Sequence, residues 1–472
     1  MSEQIWDVIV VGAGSAGMPL AICAGLRGAN VLVIEGNDHL GGQLHWSSGQ
    51  LSAAGTRLQA TKGIHDTPAL HLADALRISR GTVSEAALKP VIDGCADTLQ
   101  WLLDAGYAVM SEHPITYFAH EPYQIPRTYF GPAAAVGIYD ALLPLYRAQT
   151  AAGKLTTRLN TMVSALLQDS TGAVSGVHWK SGRETGEAHG RNVVLATGGF
   201  ARNPKKFLEY TGYPLYSWCS EHSQGRGHDL GLAAGGVLKH GDKYLCTFAG
   251  IHNPKRTDQY MVLTNLTPQL RQPWEMYVNL EGRRFMREDD PSVDAREHAL
   301  LRQSKMSFWA VYDQGIVDAA AKPFFFGLTP AELNPLWNVH ASFRSADSLL
   351  LLAERCDLNA ETLSASAEGL NASVALGKDT AFGREHLPLK LGTRGPYYAV
   401  LHHGISVVGW AGLDTDPNCR VLNAKGGAIG NLYAVGEVRG FGLMNGNAFI
   451  GGMGLQPALT MGRLLGQKLL RW

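Results

Sequence analysis

The N-terminal stretch constrains the fold most, because an apolar run there leads directly into closely spaced glycines. The run IWDVIVVGAG at 5–14 is followed by SAGMPLAICAGLRGANVLVIE, which ends at Glu35. Short apolar runs next to glycine are typical of buried strands, and the segment between the two runs has the length of a helix. The stretch therefore predicts a βαβ unit, with its first strand over 6–11, in a protein of the α/β class.

The spacing of the glycines indicates a dinucleotide site. Gly12, Gly14 and Gly17 allow a tight turn, a close approach of backbone to a pyrophosphate, and packing of the helix on the strand. Glu35 follows at a strand end, where a carboxylate accepts hydrogen bonds from ribose hydroxyls and disfavours a 2'-phosphate. The alternative is a glycine turn that only packs a helix on a sheet.

Composition limits the class of partner. The chain has 472 residues, 45% of them hydrophobic, which is enough for two domains. Lys plus Arg and Asp plus Glu both number 41, so there is no electrostatic signature for nucleic acid or an anionic membrane. The six cysteines form no CxxC pair, which argues against a metal site and favours a reducing compartment. With no leader and no apolar run of membrane-spanning length, we expect a cytoplasmic protein with a small-molecule partner.

The order of strand-like and helix-like stretches indicates an interrupted nucleotide domain. Residues 151–200 have the pattern of three strands, whereas 297–375 contains helical stretches such as AETLSASAEGLNASVAL. After these, NLYAVGEV at 431–438 again predicts a strand that enters a glycine turn, and PALTMGRLLGQKLLRW predicts a closing helix. The nucleotide domain is therefore expected to resume near the C-terminus.

Further motifs carry a family resemblance. Gly41 and Gly42, SSGQLSAAGT at 47–56, ATGGF at 196–200 and YAVGE at 433–437 resemble the FAD-binding family of fumarate reductase and succinate dehydrogenase flavoproteins. That family also includes 3-ketosteroid dehydrogenases, urocanate reductases and tricarballylate dehydrogenase. The likeness covers nearly the whole chain. It implies a discontinuous Rossmann-like FAD-binding domain at 1–244 and 396–472, with an α+β capping domain inserted at 245–395.

The resemblance also implies the contacts of FAD. The adenosine diphosphate half would be held by Gly12, Gly14, Ser15, Ala16, Gly17, Glu35, Val163, Ala196, Thr197 and Gly198. The isoalloxazine and ribitol would be lined by Gly41, Gly42, Gln43, Ser48, Gly49 and Gln50. Glu437 would contact the ribitol, and the backbone of Gly454 and Leu455 would face the pyrimidine edge. Asp229 and Gly436 complete the set of expected cofactor contacts. Relatives with covalent flavin have a histidine at the position of Gln43. His45 is two residues away, so we expect non-covalent FAD.

The chain lacks the substrate anchors that the resemblance would imply for fumarate. Ser292 stands where the fumarate reductases deliver a proton with an arginine, and Phe449 stands where they bind substrate with an arginine. Arg271 alone is retained, at the position of the outer member of their proton pathway. Without arginines to compensate its desolvation, a dicarboxylate would leave buried charge unpaired. This argues against fumarate or succinate.

The segment GNAFIGGMG at 446–454 is closer to the steroid and tricarballylate branches. In the ketosteroid dehydrogenases a glycine N–H and a tyrosine hydroxyl polarise the ketone, a second tyrosine removes the α-proton, and hydride passes to flavin N5. Preorganised donors are needed because they stabilise the developing enolate. Phe449 lacks the hydroxyl, so the Gly452 N–H would have to act with a donor from elsewhere.

Other candidates for the catalytic group are less specific. YFAHEPYQIPRTYFGP at 117–132 contains Tyr117, Tyr123 and Tyr129, which could line a pocket or pack as an aromatic loop. His402 and His403 could serve as a base or be structural histidines. Asp290 lies near Ser292 in an acidic cluster that could equally be solvated or salt-bridged surface.

These observations predict an FAD-dependent dehydrogenase or reductase of CH–CH groups, acting next to a carbonyl in a largely apolar cyclic ketone or steroid-like substrate. One alternative is an enzyme of carboxylic acids with Arg271 or Arg127 as the anion anchor. Another is a flavoprotein electron-transfer subunit of a larger complex. The electron acceptor would be a quinone, dioxygen or an electron-transfer protein, and no metal is predicted.

Overall fold

The structure, a computed structural model, describes residues 4–116, 119–256, 260–264, 266–320 and 328–469. Contacts between these residues divide the chain into two units. The first comprises the described parts of Met1–Gly212, Cys219–Tyr244 and Val408–Trp472, and the second comprises those of Tyr213–Trp218 and Leu245–Val407.

The first unit is built on a sheet whose middle strands are apolar throughout. Val8–Val11 and Val31–Ile34 pair in parallel, and their side chains are buried because helices and a second sheet cover both faces. The sheet has the order Arg420–Leu422, Ala428–Ala434, Val193–Leu195, Val8–Val11, Val31–Ile34, Leu155–Arg158. The first pair is antiparallel and the others are parallel. The predicted βαβ unit is confirmed.

Helices and smaller strands complete the first unit. Its helices are Gly17–Leu26, Arg57–Thr61, Pro68–Ile78, Glu85–Asp104, Val136–Ala151, Pro204–Thr211, Arg226–Ala233, Gly442–Asn445 and Leu455–Lys468. Two-residue strands pair as Leu51–Ser52 with Thr128–Tyr129 and as Leu238–Lys239 with Gly412–Leu413. The predicted closing helix is therefore present, as Leu455–Lys468.

A second sheet of the first unit differs in detail from the predicted pattern. Its order is Ile5–Trp6, Glu184–Gly190, Val174–Ser181, Met162–Gln168. The prediction of three strands between 151 and 200 was therefore wrong in number, because Leu155–Arg158, Met162–Gln168, Val174–Ser181, Glu184–Gly190 and Val193–Leu195 are separate strands. Likewise, the strand predicted over 6–11 is divided, since Ile5–Trp6 pairs with one sheet and Val8–Val11 with the other.

The second unit contains an antiparallel sheet with helices. Tyr397–Ile405 is its central strand, because it pairs with Thr247–His252, Ser307–Asp313 and Phe343–Ala346. Met261–Leu263 and Met276–Val278 pair at the edges. The helices are Val293–Leu301, Gln314–Ala319, Pro330–Leu333, Leu349–Arg355 and Ala360–Leu376.

The α/β class, with a discontinuous first part and an inserted second part, is confirmed. The domain limits at 244, 245–395 and 396 stay predictions. The strand Tyr397–Ile405 is grouped with the second unit by its pairing, and the first unit resumes at Val408. Within the described ranges, no helix is both long and apolar enough to cross a membrane.

Candidate functional site

The turn after the first buried strand brings backbone atoms so close together that side chains cannot fit. Gly12 has φ +100°, and a Cβ built there would lie 2.5 Å from the carbonyl oxygen of Ala196. A Cβ on Gly17 would lie 1.9 Å from the carbonyl oxygen of Gly12. Gly17 begins the helix Gly17–Leu26, whose first N–H groups have no partner within the helix. The turn brings together the predicted residues Gly12, Gly14, Ser15, Ala16, Gly17 and Ala196.

Glu35 lies next to this turn, directly after the strand Val31–Ile34. Its Oε2 accepts a hydrogen bond from the Ala13 N–H at 2.7 Å, and its Oε1 accepts one from the Asn37 N–H at 2.9 Å. The carboxylate is therefore held in one orientation beside the glycine turn. Val163 is buried at 7% exposure on a strand of the second sheet of this unit.

The segment 41–50 continues from the same place. The Gly41 N–H donates to the Ala13 carbonyl at 2.9 Å, and Gly42 begins the short 3-10 helix Gly42–His45. The side-chain amide of Gln43 donates to the Sγ of Cys219 at 3.0 Å. Gly41 and Gln43 therefore lie within one connected part of the first unit, although Cys219 is 176 positions away in the chain.

His45, two residues from the position where relatives bind flavin covalently, contacts other groups of the protein. Its Nε2 lies 2.8 Å from the Leu40 carbonyl oxygen, and its ring packs against that of Tyr139 with a centroid distance of 4.7 Å. The imidazole is thus held by its own turn. This arrangement is consistent with the expectation of non-covalent FAD, which stays a prediction.

The next residues approach two other segments. Gly49 has φ +81°, and a Cβ there would lie 2.6 Å from the backbone carbonyl carbon of Ala134. A Cβ on Gly451 would lie 3.2 Å from the Nε2 of Gln50. Ser48, which directly precedes Gly49 and belongs to the predicted set, is exposed.

Two polar side chains in the predicted cofactor set have few partners within the protein. The Oγ1 of Thr197 is buried and has no hydrogen-bond partner, and Gly198 beside it has φ +73° with open space where a Cβ would lie. The carboxylate of Glu437 accepts a 2.6 Å hydrogen bond from the Gly409 N–H. Burial raises the pKa of Glu437 to about 7, although backbone N–H groups of Gly409 and Gly199 lower it. Gly436 precedes it in the short 3-10 helix Gly436–Arg439.

Asp229 lies at the surface, whereas His228 beside it lies in the interior. The Asp229 carboxylate pairs with the Nζ of Lys206 at 2.5 Å and is more than half exposed. His228 is fully buried, and its ring packs edge-on against Phe200 with a centroid distance of 5.3 Å. Asp229 as a cofactor contact stays a prediction.

The glycine-rich segment before the closing helix is held by one buried amide. The Oδ1 of Asn445 accepts from the Ile450 N–H at 3.0 Å, and its Nδ2 donates to the Met453 carbonyl at 2.9 Å. Gly454 precedes the helix Leu455–Lys468 as its N-cap residue. The backbone of Gly454 and Leu455, predicted to face the flavin, is therefore fixed by a helix end and by the Asn445 side chain.

Phe449 lies in a cluster of aromatic rings. The imidazole of His120 stacks on it with a centroid distance of 4.9 Å and an angle of 8°. Trp410 contacts it edge-on at 5.3 Å, and Phe441 contacts it at 5.5 Å. The Nδ1 of His120 is buried and has no hydrogen-bond partner. The sequence patterns did not single out His120, because nothing in its spacing points to a neighbour 329 positions away.

The described tyrosines of the loop 117–132 have buried hydroxyl groups. The hydroxyl of Tyr123 donates to the carbonyl oxygen of Gly451 at 2.5 Å. The hydroxyl of Tyr129 lies 2.6 Å from the Oγ1 of Thr56. Burial raises the pKa of both tyrosines above the usual value of 10. Tyr117 lies outside the described residues.

Arg127 is fully buried within a network of acids. Its Nε and Nη2 donate to the two carboxylate oxygens of Asp66 at 2.9 and 2.8 Å, and its Nη1 donates to Asp74 at 2.8 Å. Asp66 also accepts from the side-chain amide of Gln59 at 2.8 Å. The guanidinium charge is therefore compensated by protein carboxylates.

Arg271, in the second unit, is compensated in the same way. Its Nη1 donates to a carboxylate oxygen of Glu275 at 3.0 Å, and its Nη2 pairs with the other oxygen. The hydroxyl of Tyr277 donates to the same carboxylate at 3.2 Å. Because all three residues are buried, this ion pair is expected to be strongly held.

Asp290 and Ser292 form a helix start. The hydroxyl of Ser292 accepts from the Ala295 N–H at 3.1 Å, which caps the helix Val293–Leu301. The carboxylate of Asp290 accepts from the Ser292 N–H at 2.9 Å. Both side chains thus have a structural partner, and a catalytic role for either stays a prediction.

His402 and His403 are buried on opposite faces of the strand Tyr397–Ile405. The Nδ1 of His402 lies 2.9 Å from the Val400 carbonyl oxygen, and the Nδ1 of His403 lies 2.7 Å from the Oγ of Ser307. Burial lowers the pKa of His402 to about 4 and that of His403 to about 3. Both are neutral near pH 7, so either could accept a proton only weakly.

In the part of the chain that the structure describes, no group of three or more His, Cys, Asp or Glu side chains is arranged to hold a metal ion. The described residues do form a glycine turn at a helix start, an acid at the end of the next strand, and a half-buried acid near a second glycine turn, which is the arrangement predicted for a nucleotide site.

Comparison with known proteins settles the family. Residues 7–455 match the family described as FAD binding domain. The chain belongs to this family. Members similar to the chain include a fumarate reductase (cytochrome) of Shewanella frigidimarina, which is 29% identical over 480 residues, covering 99% of this chain and 77% of the relative. A 3-oxosteroid 1-dehydrogenase of Mycobacterium tuberculosis is 25% identical over 569 residues, covering 98% of each chain.

A solved structure agrees with this assignment at the level of the fold. The 3-ketosteroid delta1-dehydrogenase of Sterolibacterium denitrificans, in complex with 1,4-androstadiene-3,17-dione, superposes with a TM-score of 0.77 at 21% identity. The match covers 98% of this chain and 99% of that chain. The family match and the two relatives, rather than this superposition, show that the protein is an FAD-dependent oxidoreductase acting on carbon–carbon bonds, and FAD as its cofactor is confirmed.

The residues present fit the flavin that the family implies. A Cβ at Gly12 or Gly17 would overlap neighbouring backbone, so glycine is what allows the tight turn that a pyrophosphate needs. The Thr197 hydroxyl lacks a hydrogen-bond partner. The Glu437 carboxylate accepts from the backbone N–H groups of Gly409 and Gly199 and has no ion-pair partner among the residues described. Hydroxyl groups of a nucleotide or ribitol are suited to both polar groups. The individual contacts stay predictions.

Proposed function

We propose that this oxidoreductase introduces, or in reverse reduces, a carbon–carbon double bond next to the carbonyl of a largely apolar cyclic ketone. The observation that supports this best is the aromatic surrounding of Phe449 in the glycine-rich segment. His120, Trp410 and Phe441 all pack against its ring. A carboxylate there would lose its hydration without gaining an ionic partner, whereas an apolar ring would lose nothing.

The two arginines considered as anchors for an acid support the same choice. Arg127 is paired with Asp66 and Asp74, and Arg271 is paired with Glu275. A substrate carboxylate would have to displace a buried protein carboxylate from either arginine. Breaking such a pair leaves an uncompensated buried charge, which costs about 3–5 kcal/mol.

Two donors of the first unit are proposed to bind the ketone oxygen. The Gly452 N–H makes no hydrogen bond to any residue that the structure describes. His120 is a neutral imidazole near pH 7, because burial lowers its pKa to about 4, and one of its nitrogens can carry the donated proton. In the ketosteroid dehydrogenases a glycine N–H and a tyrosine hydroxyl bind the ketone oxygen. Because Phe449 has no hydroxyl, the His120 N–H would take the place of that tyrosine beside the Gly452 N–H. Preorganised donors stabilise an enolate and so acidify the α C–H.

FAD, when bound, exchanges a hydride with the substrate. To hold this cofactor the chain would supply the tight turn at Gly12 and Gly17, the carboxylate of Glu35 for the ribose, and the carboxylate of Glu437 for the ribitol. Tyr129 remains the candidate of the first unit for the group that moves the α-proton, and a catalytic role for His402 or His403, in the second unit, stays a prediction. Non-covalent attachment, a cytoplasmic location and an acceptor such as a quinone, dioxygen or an electron-transfer protein belong to the same proposal.

Product analysis tests the proposal. The purified holoprotein is incubated with an electron-accepting dye and with saturated cyclic ketones, a 3-ketosteroid, succinate and tricarballylate in parallel. The expected product is an α,β-unsaturated ketone, two hydrogens lighter than its precursor, formed from ketones alone. Turnover confined to the acids would reject the ketone and direct mutagenesis to Arg271 and Arg127.

An acid substrate remains the second candidate, because the chain is 29% identical to a fumarate reductase over almost its whole length. The same incubation distinguishes the two. With an acid as substrate, Arg271→Gln would abolish turnover and leave the flavin bound. With a ketone, the substitution would affect the stability of the second unit more than it affects the chemistry.

A further inference from the structure

Tyr123 forms a hydrogen bond to the peptide unit between Gly451 and Gly452. Its side chain is buried at 3% exposure, and its hydroxyl donates to the Gly451 carbonyl oxygen at 2.5 Å. The Oγ of Ser52 and the Nε2 of His71 lie farther away, both at 3.4 Å from this hydroxyl. The bond to the carbonyl is therefore the main hydrogen bond of the phenol.

The tyrosine is itself held in place by buried charge. The guanidinium of Arg127 lies over its ring, 5.0 Å from the centroid. Arg127 is fixed by Asp66 and Asp74, and the backbone N–H of Tyr123 donates to the Thr116 carbonyl at 3.0 Å. A ring restrained from one face and at its backbone has little freedom to move its hydroxyl.

The carbonyl that Tyr123 binds belongs to the same peptide unit as the Gly452 N–H. Because a peptide unit is planar, fixing the direction of its carbonyl also fixes the direction of its N–H. A hydrogen bond accepted at the oxygen further polarises the unit and strengthens the N–H as a donor. Gly452 has φ +76°, and a Cβ there would lie 2.5 Å from the backbone of Leu51 and Ser52. The strand Leu51–Ser52 therefore also packs tightly against this segment.

We propose that Tyr123 is a positioning residue, which aims the Gly452 N–H at the substrate carbonyl by binding the carbonyl of Gly451. The inference rests on the proposed function, because it assigns a role within that reaction. It differs from the sequence-based prediction that Tyr123 acts on the substrate itself. The phenol proton is already donated within the protein, so Tyr123 is not the group that removes the α-proton.

The test compares two phenylalanine variants of the holoprotein. Tyr123→Phe keeps the ring and removes the hydroxyl. Tyr146→Phe is the matched control, because Tyr146 is also buried and its hydroxyl pairs with the Thr157 hydroxyl at 2.7 Å, away from the glycine-rich segment. Steady-state kinetics with the ketone identified above, over a range of pH, are combined with hydrogen–deuterium exchange of the peptide containing 450–454.

A positioning role predicts a specific pattern. For Tyr123→Phe, kcat falls about 10- to 100-fold while KM changes less than about threefold, because the aimed N–H matters most as charge develops on the oxygen. The pH profile keeps its shape. Exchange becomes faster at the Ile450 and Met453 amides, whose bonds to Asn445 and to the Ile450 carbonyl hold the segment. Tyr146→Phe leaves kcat and this exchange unchanged.

Other patterns would overturn the inference. Loss of one limb of the pH profile with unchanged exchange would make Tyr123 the acid or base. An unchanged kcat, or unchanged exchange at 450–454, would mean that the hydroxyl does not position the peptide. If no ketone reacts with the wild-type protein, the proposed function fails, while the exchange measurement still decides whether Tyr123 anchors Gly451. Should Tyr123→Phe not fold, 3,5-difluorotyrosine at 123 keeps the hydroxyl as a stronger donor and is expected to slow the exchange.

Discussion

At the scale of single residues, the outcome depends on which charges are already compensated. The sequence contains two arginines that could bind an acid, yet each is paired with buried carboxylates. Phe449, in contrast, has a polar ring stacked directly on it in His120. The polar character of this part of the first unit is therefore that of a neutral hydrogen-bond donor, which suits a ketone better than an anion.

Replacement of His120 by phenylalanine tests this role. The ring is kept for stacking on Phe449, but the donor is lost, so we expect kcat/KM for the ketone to fall about 100-fold with the flavin still bound. His113→Phe is the matched control, because His113 is also buried and packs against Phe130 at 5.5 Å. Steady-state kinetics check both. A loss of less than about threefold for His120→Phe would remove His120 from the mechanism.

Residue partners were the part that sequence reasoning could not predict. Three tyrosines in one loop indicated a pocket lining or a packed aromatic loop, but nothing in the spacing indicates that Tyr123 binds Gly451, 328 positions away. Glycine and acid positions were easier, because a turn and a strand end depend on neighbours in the chain. Gly12, Gly17 and Glu35 accordingly lie together in the structure.

At the scale of elements, the turn between the strand Val8–Val11 and the helix Gly17–Leu26 is the feature on which we predict flavin binding to depend. Two glycines with similar φ angles allow the effect of close packing to be distinguished from that of backbone strain. Gly12 has φ +100° and would place a Cβ 2.5 Å from the Ala196 carbonyl oxygen. Gly28 has φ +95° and nothing lies within 4 Å of its Cβ position.

Gly12→Ala is therefore expected to lose bound FAD, because the glycine turn must move away from Ala196, directly after the strand Val193–Leu195, to admit the methyl group. Gly28→Ala bears similar backbone strain, of order 1 kcal/mol, and should keep its flavin. The absorbance of the purified proteins measures flavin content.

In the wild-type and Gly28→Ala proteins, acid denaturation should release all of the flavin into the filtrate. Flavin that stays with the precipitate would contradict non-covalent binding, and full occupancy of Gly12→Ala would contradict the assigned cradle.

Prediction of elements succeeded where the apolar pattern was continuous. Val8–Val11 and Val31–Ile34 are buried on both faces and are uniformly apolar, so they were visible in the sequence. Strand boundaries between 155 and 195 were not, because three of those strands form a sheet that is partly exposed and mixes polar with apolar residues. Their limits are set by pairing with each other rather than by periodicity.

At the scale of the whole molecule, several histidines are buried in neutral form in both units. Burial lowers the pKa of five of them to about 3 or 4: His71, His120, His228, His402 and His403. In the unfolded chain these groups titrate near 6.5. As pH falls below about 6.5 the unfolded state therefore binds protons first, and each histidine removes about 1.4 kcal/mol of stability per pH unit until its folded pKa is reached.

The melting temperature should consequently be highest above pH 7 and fall steeply between pH 6.5 and pH 4. Calorimetry of the holoprotein over this range checks the sign. His120→Phe should make the loss of stability on acidification less steep by the contribution of one histidine, about 1.4 kcal/mol per pH unit. His222→Gln, at a side chain that is more than half exposed, should leave the pH dependence unaltered. A melting temperature that rises on acidification would contradict the burial of these rings as neutral groups.

The central claim is that a flavin held by this chain takes hydride from an apolar ketone. The direct measurement is anaerobic absorbance of the purified holoprotein while a saturated cyclic ketone, a 3-ketosteroid and succinate are titrated separately. The account predicts that the oxidised flavin band bleaches with a ketone and is unaltered by succinate. Bleaching by succinate alone, with every ketone inert, would contradict it.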